Sequence, residues 1–188
     1  MSTHPHRRSW QRLDQPGMEH VTLLAGAEGY SLQGTVLLVE DGMDAVLRYQ
    51  LDCDHNWHTR RLLLEGELQG RPLARLLEVD AAQRWWLNGE QQPQVAGCVD
   101  LDMAFSPVTN LLPVRRFGLG LGEHADLTAA WLRFPALGLA PLPQSYSCTG
   151  PRGYRYESRA GAFTAELLVD EQGLVLDYPG YWRAVPHG

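Results

Sequence analysis

Apolar and polar residues alternate with a period of two along much of this chain. Leu47, Tyr49, Leu51 and Cys53 interleave with Arg48, Gln50, Asp52 and Asp54, so one set faces a core and the other faces water. Residues 30–36 alternate partially, residues 21–25 are apolar, and longer apolar runs extend from Trp57 to Leu68 and from Leu73 to Val79. Asp41-Gly42, Gln69-Gly70 and Asn88-Gly89 are turn signals, the last being the strongest. Residues 84–87, 144–148, 154–158, 163–169 and 174–178 read as further strands, with a turn at 170–173 and a break at Pro179-Gly180. Leu127, Ala130, Trp131 and Phe134 fall at helical spacing, but Pro135 and the following Leu137-Gly138-Leu139 favour an edge strand.

Short strands joined by tight turns make an antiparallel β-meander, and the expected fold class is mainly β. Residues 1–17, rich in His, Arg, Gln and Pro, read as an N-terminal arm, either loose or pinned by Trp10; residues 18–188 read as one β domain. A weak internal echo links Leu76-Leu77-Glu78-Val79-Asp80 to Leu167-Leu168-Val169-Asp170. The best helix is residues 106–112: Ser106 can cap it and Pro107 suits its first position. Pro113 is expected to end or kink it within two turns.

Composition narrows the chemistry. The chain has 188 residues, 44% of them hydrophobic, and a net charge of −6. All sixteen of its basic residues are arginine. The acidic balance disfavours general nucleic-acid binding. Cys53, Cys98 and Cys148 are isolated and form no Cys-x-x-Cys pair, which suits free thiols in a reducing compartment. No run reaches the length of a membrane span, and residues 1–19 lack the apolar core of a secretory signal. A cytoplasmic protein is the expectation, with a homodimer left open and no cofactor or metal implied.

Charge concentrates at residues 97–116. If residues 99–103 form a strand, Asp100 and Asp102 share one face, and Val99, Leu101 and Met103 share the other. Arg115 and Arg116 follow closely, and a guanidinium fork suits a carboxylate or a phosphate. Three readings stay open here. The acids and arginines could fix the helix to the sheet, line a polar ligand pocket, or act as a hydrolase on a glycosidic or phosphate ester bond through Asp100 and Asp102. The i, i+2 spacing of the acids does not set the separation that glycoside hydrolysis needs. No Gly-x-Ser-x-Gly, His-Glu-x-x-His or P-loop occurs. Trp57, Trp85, Trp86, Trp131 and Trp182, with Tyr146, Tyr154, Tyr156, Tyr178 and Tyr181, lie mostly in strand-like segments, where rings beside carboxylates and arginines would suit a sugar–lipid amphiphile.

Gly97-Cys98-Val99-Asp100-Leu101-Asp102 followed by Ser106-Pro107-Val108-Thr109-Asn110-Leu111-Leu112-Pro113-Val114-Arg115-Arg116 resembles the signature of a bacterial family described as glycolipid-binding. Leu101, Ser106, Val108 and Leu111 are mild departures from it. Asp54-His55-Asn56-Trp57-His58-Thr59-Arg60, Trp86-Leu87-Asn88-Gly89 and Gln144-Ser145-Tyr146 agree with it, as do residues 169–179. The resemblance implies a meander curled as an unclosed barrel around a helix, similar to the lipoprotein carriers LolA and LolB. It also implies non-catalytic binding of a glycolipid or similar amphiphile in the concave face. The residues then expected at the ligand are Trp57, Arg60, Trp86, Asp100, Asp102, Asn110, Arg115, Arg116, Gln144, Tyr146, Tyr156 and Tyr178.

Overall fold

A computed structural model describes residues 5–186. The first half of the chain forms β1 (His6–Arg12), β2 (Gly17–Gly26), β3 (Gly29–Glu40), β4 (Met43–Cys53), β5 (Thr59–Leu68), β6 (Arg71–Val79), β7 (Trp85–Leu87) and β8 (Glu90–Gln91). The second half forms β9 (Leu101–Met103), helix α1 (Leu111–Phe117), β10 (His124–Leu132), β11 (Leu139–Gly150), β12 (Gly153–Ser158), β13 (Phe163–Val169), β14 (Val175–Tyr178) and β15 (Trp182–Ala184). All fifteen strands join one sheet in the order β8-β7-β6-β5-β4-β3-β2-β1-β15-β14-β13-β12-β11-β10-β9. Every pairing is antiparallel except β9 with β10, which is parallel. The sheet does not close into a barrel, but Thr59 stitches its flanks together. The Thr59 N–H donates to the Val99 carbonyl (3.1 Å), and Thr59 Oγ1 accepts from the Leu101 N–H (3.1 Å).

The turn dipeptides do what their chemistry dictates. Both residues of Asp41-Gly42, Gln69-Gly70 and Asn88-Gly89 have positive φ, and each pair links strands in direct register, Glu40 to Met43, Leu68 to Arg71 and Leu87 to Glu90. That is the two-residue hairpin whose twist matches the sheet.

Three expectations change. Residues 6–12 are not an arm but the strand β1, paired with β2 on one side and β15 on the other. Trp10 is fully buried there, and its indole N–H donates to the Val175 carbonyl at 2.6 Å. Residues 1–4 of the expected arm lie outside the described residues. The segment at helical spacing is a strand, as Pro135 favoured, but it is not an edge: β9 and β11 pair with β10 on both sides of residues 130–132. Pro113 neither ends nor kinks the helix. A 3-10 turn at Val108–Asn110 leads into α1, where Pro113 is third and its missing N–H falls among those an α-helix leaves unpaired. Gly118 ends α1 in the left-handed region (φ 56°).

The helix divides the interior. Leu111 and Leu112 pack into the larger core with Trp10, Trp85 and the inward leucines of β3–β6, whereas Val114 joins a second cluster with Tyr146, Tyr154, Tyr156 and Val175. On β3, Gly34 leaves room for the Tyr49 ring, since a methyl there would meet that ring at 2.3 Å. Gly34→Ala should therefore destabilise the fold by about 1–3 kcal/mol through overpacking, read as a lower denaturant midpoint at unchanged slope. An unchanged midpoint would contradict the packing described.

Candidate functional site

The segment from Gly97 to Phe117 carries β9 and α1, and its fully buried polar side-chain atoms find partners along the way. Ser106 is 7% exposed. Its Oγ accepts from the Val108 N–H (3.1 Å) and donates to Glu19 Oε1 (2.8 Å), which also accepts from the Tyr49 hydroxyl (2.6 Å). Glu19 is 2% exposed. Burial pushes its carboxyl up to about 8 against the pull of the two hydroxyls, and its Oε2 has no partner among the described residues.

The two central acids share a face, as strand geometry predicts. Leu101 and Met103 enter the larger core, while Asp100 and Asp102 both act on the Tyr146 hydroxyl, which burial in the first place holds well above its ordinary value. Their partners differ. Asp100, 1% exposed, receives the Arg116 guanidinium at both oxygens, Nε to Oδ1 at 3.1 Å and Nη2 to Oδ2 at 2.5 Å. Burial raises the Asp100 carboxyl, and Arg116 opposes it. Asp102 keeps part of its surface exposed and accepts at Oδ2 from Gln144. Burial raises it to about 6, with Gln144 working the other way.

Asp102 borders a groove of about 450 Å³ whose floor includes Met103, Ser106 and Asn110. Tyr156, Phe163, Tyr178 and Tyr181 form one wall. Their rings pack edge-on and tilted, with centroids 5.4–6.4 Å apart, as aromatic quadrupoles prefer. Trp131 from β10, Arg159 from the segment between β12 and β13, and Arg12 and Glu40 from β1 and β3 also border the groove. The carboxyl therefore faces ring surface and open volume together, an arrangement able to hold hydroxyl groups at Asp102 and apolar ring faces or chain beside them.

Of the expected site residues, Asp102, Asn110, Tyr156 and Tyr178 reach this groove. Gln144 and Tyr146 stand behind it, Gln144 holding Asp102 and the Tyr146 hydroxyl donating to Asn110 Oδ1 at 2.8 Å. Asp100, Arg115 and Arg116 fix the helix instead. Arg115 lies over Trp57, 5.5 Å from its centroid, and Trp57 stacks on Tyr30 at 3.9 Å. Arg60 clamps two turns, donating to Asp54 Oδ2 (2.7 Å) and the Asp80 carbonyl (3.1 Å). Trp86, under Arg84 on β7, belongs to neither group. Sequence reasoning missed Glu19 and Arg159, and it read Trp131 only as one of the aromatics in strand-like segments. Glu19 carried a signal: it is in step with the buried Val21 and Leu23, an acid at a core position.

No helix among the described residues is long and apolar enough to cross a membrane. A family model described as "Putative glycolipid-binding" matches residues 7–184. A crystal structure of a DUF1089 family protein from Pseudomonas aeruginosa is similar, with 33% identity and a TM-score of 0.79 over 89% of this chain and 91% of that one. A beta-barrel-like protein of domain of unknown function DUF1849 from Brucella abortus shares the fold at 10% identity, with a TM-score of 0.55 over 96% and 94% of the two chains. No match was found among the curated proteins.

Glu19 makes stability pH-dependent. Its folded value lies above the ordinary 4.5, at about 8, so its contribution is complete below the ordinary value and is lost as pH rises through about 8. Tm should fall between pH 5 and 9, and Glu19→Gln should flatten that slope. A slope unaltered in the variant would place the dependence elsewhere.

Proposed function

The chain belongs to this glycolipid-binding family, and we propose that it holds a glycolipid, or an amphiphile of the same construction, in the groove above Asp102 without reacting with it. The observation that carries this reading is a carboxyl with one oxygen engaged by Gln144 and no described partner at the other, facing a wall of four aromatic rings. An ionised carboxyl accepts hydroxyl protons strongly where water is partly excluded. Ring faces cover the apolar side of a sugar, and Phe134 and Leu142 supply surface for a chain.

Nothing in the geometry favours hydrolysis. Asp100 is buried and held at both oxygens by Arg116, so the two acids do not flank a shared reaction space. Ser147, His124 and Asp126 form a hydrogen-bonded run across β11 and β10, with both contacts at 3.0 Å. The Asp126 side chain is 80% exposed, however, and the run lies outside the groove.

Native mass spectrometry of the protein equilibrated with a bacterial lipid extract is the direct test. The wild type should retain an amphiphile that Asp102→Asn and Tyr178→Ala retain less. No retained lipid, or equal retention by all three, would sink the reading. The affinity for octyl glucoside should also fall by roughly tenfold as pH drops through about 6, because protonation removes the charged acceptor at Asp102. Asp102→Asn should bind weakly at every pH. An affinity that rises toward acid would contradict the role given to Asp102.

A further inference from the structure

The groove has a second polar end. Of its two arginines, Arg12 is engaged by Asp14 (Nε to Oδ1, 2.8 Å) and Glu40 (Nη1 to Oε2, 2.9 Å). Arg159 makes no ion pair among the described residues, although it borders the same space. Unpaired arginines occur elsewhere on this surface, so freedom alone argues nothing; the setting of Arg159 does.

Arg159 opens the turn between β12 and β13 with φ 54°, and Ala160 follows with the same value. Asn and Gly adopt that backbone at lower cost. The sequence instead places a long cation at the position nearest the groove. The guanidinium lies over the Trp131 ring, 5.6 Å from its centroid, which limits its rotamers while its N–H donors stay unengaged. Trp131 is the register partner of Asp102 across the β9–β10 pair, so the indole that carries the guanidinium belongs to the strand neighbour of the carboxyl. The Tyr156 hydroxyl lies within the influence of both. Burial raises it most, Asp102 adds to the rise, and Arg159 opposes it.

We infer that Arg159, stacked on Trp131, forms an anion subsite of the groove and takes a carboxylate or phosphate carried by the headgroup of the amphiphile. The inference rests on the amphiphile reading above and narrows it to acidic headgroups. Hydroxyls meet Asp102, and the anion meets a planar fork whose donors match two oxygens at once. The two charged ends also fix which way round the headgroup lies.

A matched pair of probes separates the two claims. Octyl β-glucuronide and octyl β-glucoside differ only in a carboxylate, and free glucuronate supplies the anion without a chain. Titration calorimetry on the full chain should give about tenfold tighter binding of the glucuronide than of the glucoside, with little binding of free glucuronate. Arg159→Gln should bind both octyl glycosides at the glucoside level, and Arg159→Lys should recover much of the preference. The preference should shrink in 0.5 M salt, as expected of a partly exposed charge. Equal affinity of the wild type for both glycosides, or a preference that survives in Arg159→Gln, overturns the anion subsite and leaves the amphiphile reading standing. Free glucuronate bound as tightly as its octyl glycoside would make the ligand a small anion rather than a headgroup. If neither glycoside binds, both readings fall together.

Discussion

The two-point contact between the Asp100 carboxylate and the Arg116 guanidinium joins the residue that leads into the edge strand β9 to the last turn of α1, with the carboxylate buried from water and the guanidinium partly so. A buried charge without its partner costs several kcal/mol, so neither residue tolerates being moved alone. The position of the helix follows. With Arg116 held, Leu111 and Leu112 turn into the larger core, Val114 into the smaller one, and Arg115 reaches Trp57. The Glu19–Ser106 hydrogen bond holds the start of the same segment against β2. Between these two anchors the chain leaves Met103, Ser106 and Asn110 as the floor of the groove, with Asp102 at its side.

A charged motif thus separates into two environments two residues apart. Asp100 and Asp102 lie on one face of one strand, yet Asp100 is closed off by arginine while Asp102 meets only the neutral amide of Gln144. The neutral partner leaves the second carboxyl able to accept further hydrogen bonds. The same logic distinguishes the arginines of the groove: Arg12 is neutralised by two acids, and Arg159 rests on an indole. The chemistry available to a ligand is set by which charges the protein has already satisfied within itself.

Much of this was legible in the residues. Period-two patterning and the three X-Gly turns place β3 to β8 closely, because local sterics govern those features. The central motif drew attention to the segment that carries the Asp100–Arg116 pair and borders the groove at Asp102. What local pattern could not reveal was pairing across the fold. Trp10 becomes central only because β15 returns to it from the far end of the chain. Arg115 and Arg116 are adjacent in sequence, but helical geometry sends them to different partners. Trp57 and Arg60 were expected at the ligand from the family resemblance alone, and only the folded chain shows Trp57 under Arg115 and Arg60 bound to Asp54 and Asp80. Arg159 gave no signal, since a single arginine in a turn reads as a solvated surface residue until Trp131 is placed beneath it.

Asp100 and Arg116 act as a structural unit that sets the groove beside them. A double-mutant cycle with Asp100→Asn and Arg116→Gln, read by denaturant unfolding, measures that directly. A coupling of about 2 kcal/mol or more is predicted, as for a desolvated pair in contact. A coupling below about 0.5 kcal/mol, within the scatter of independent sites, would contradict it.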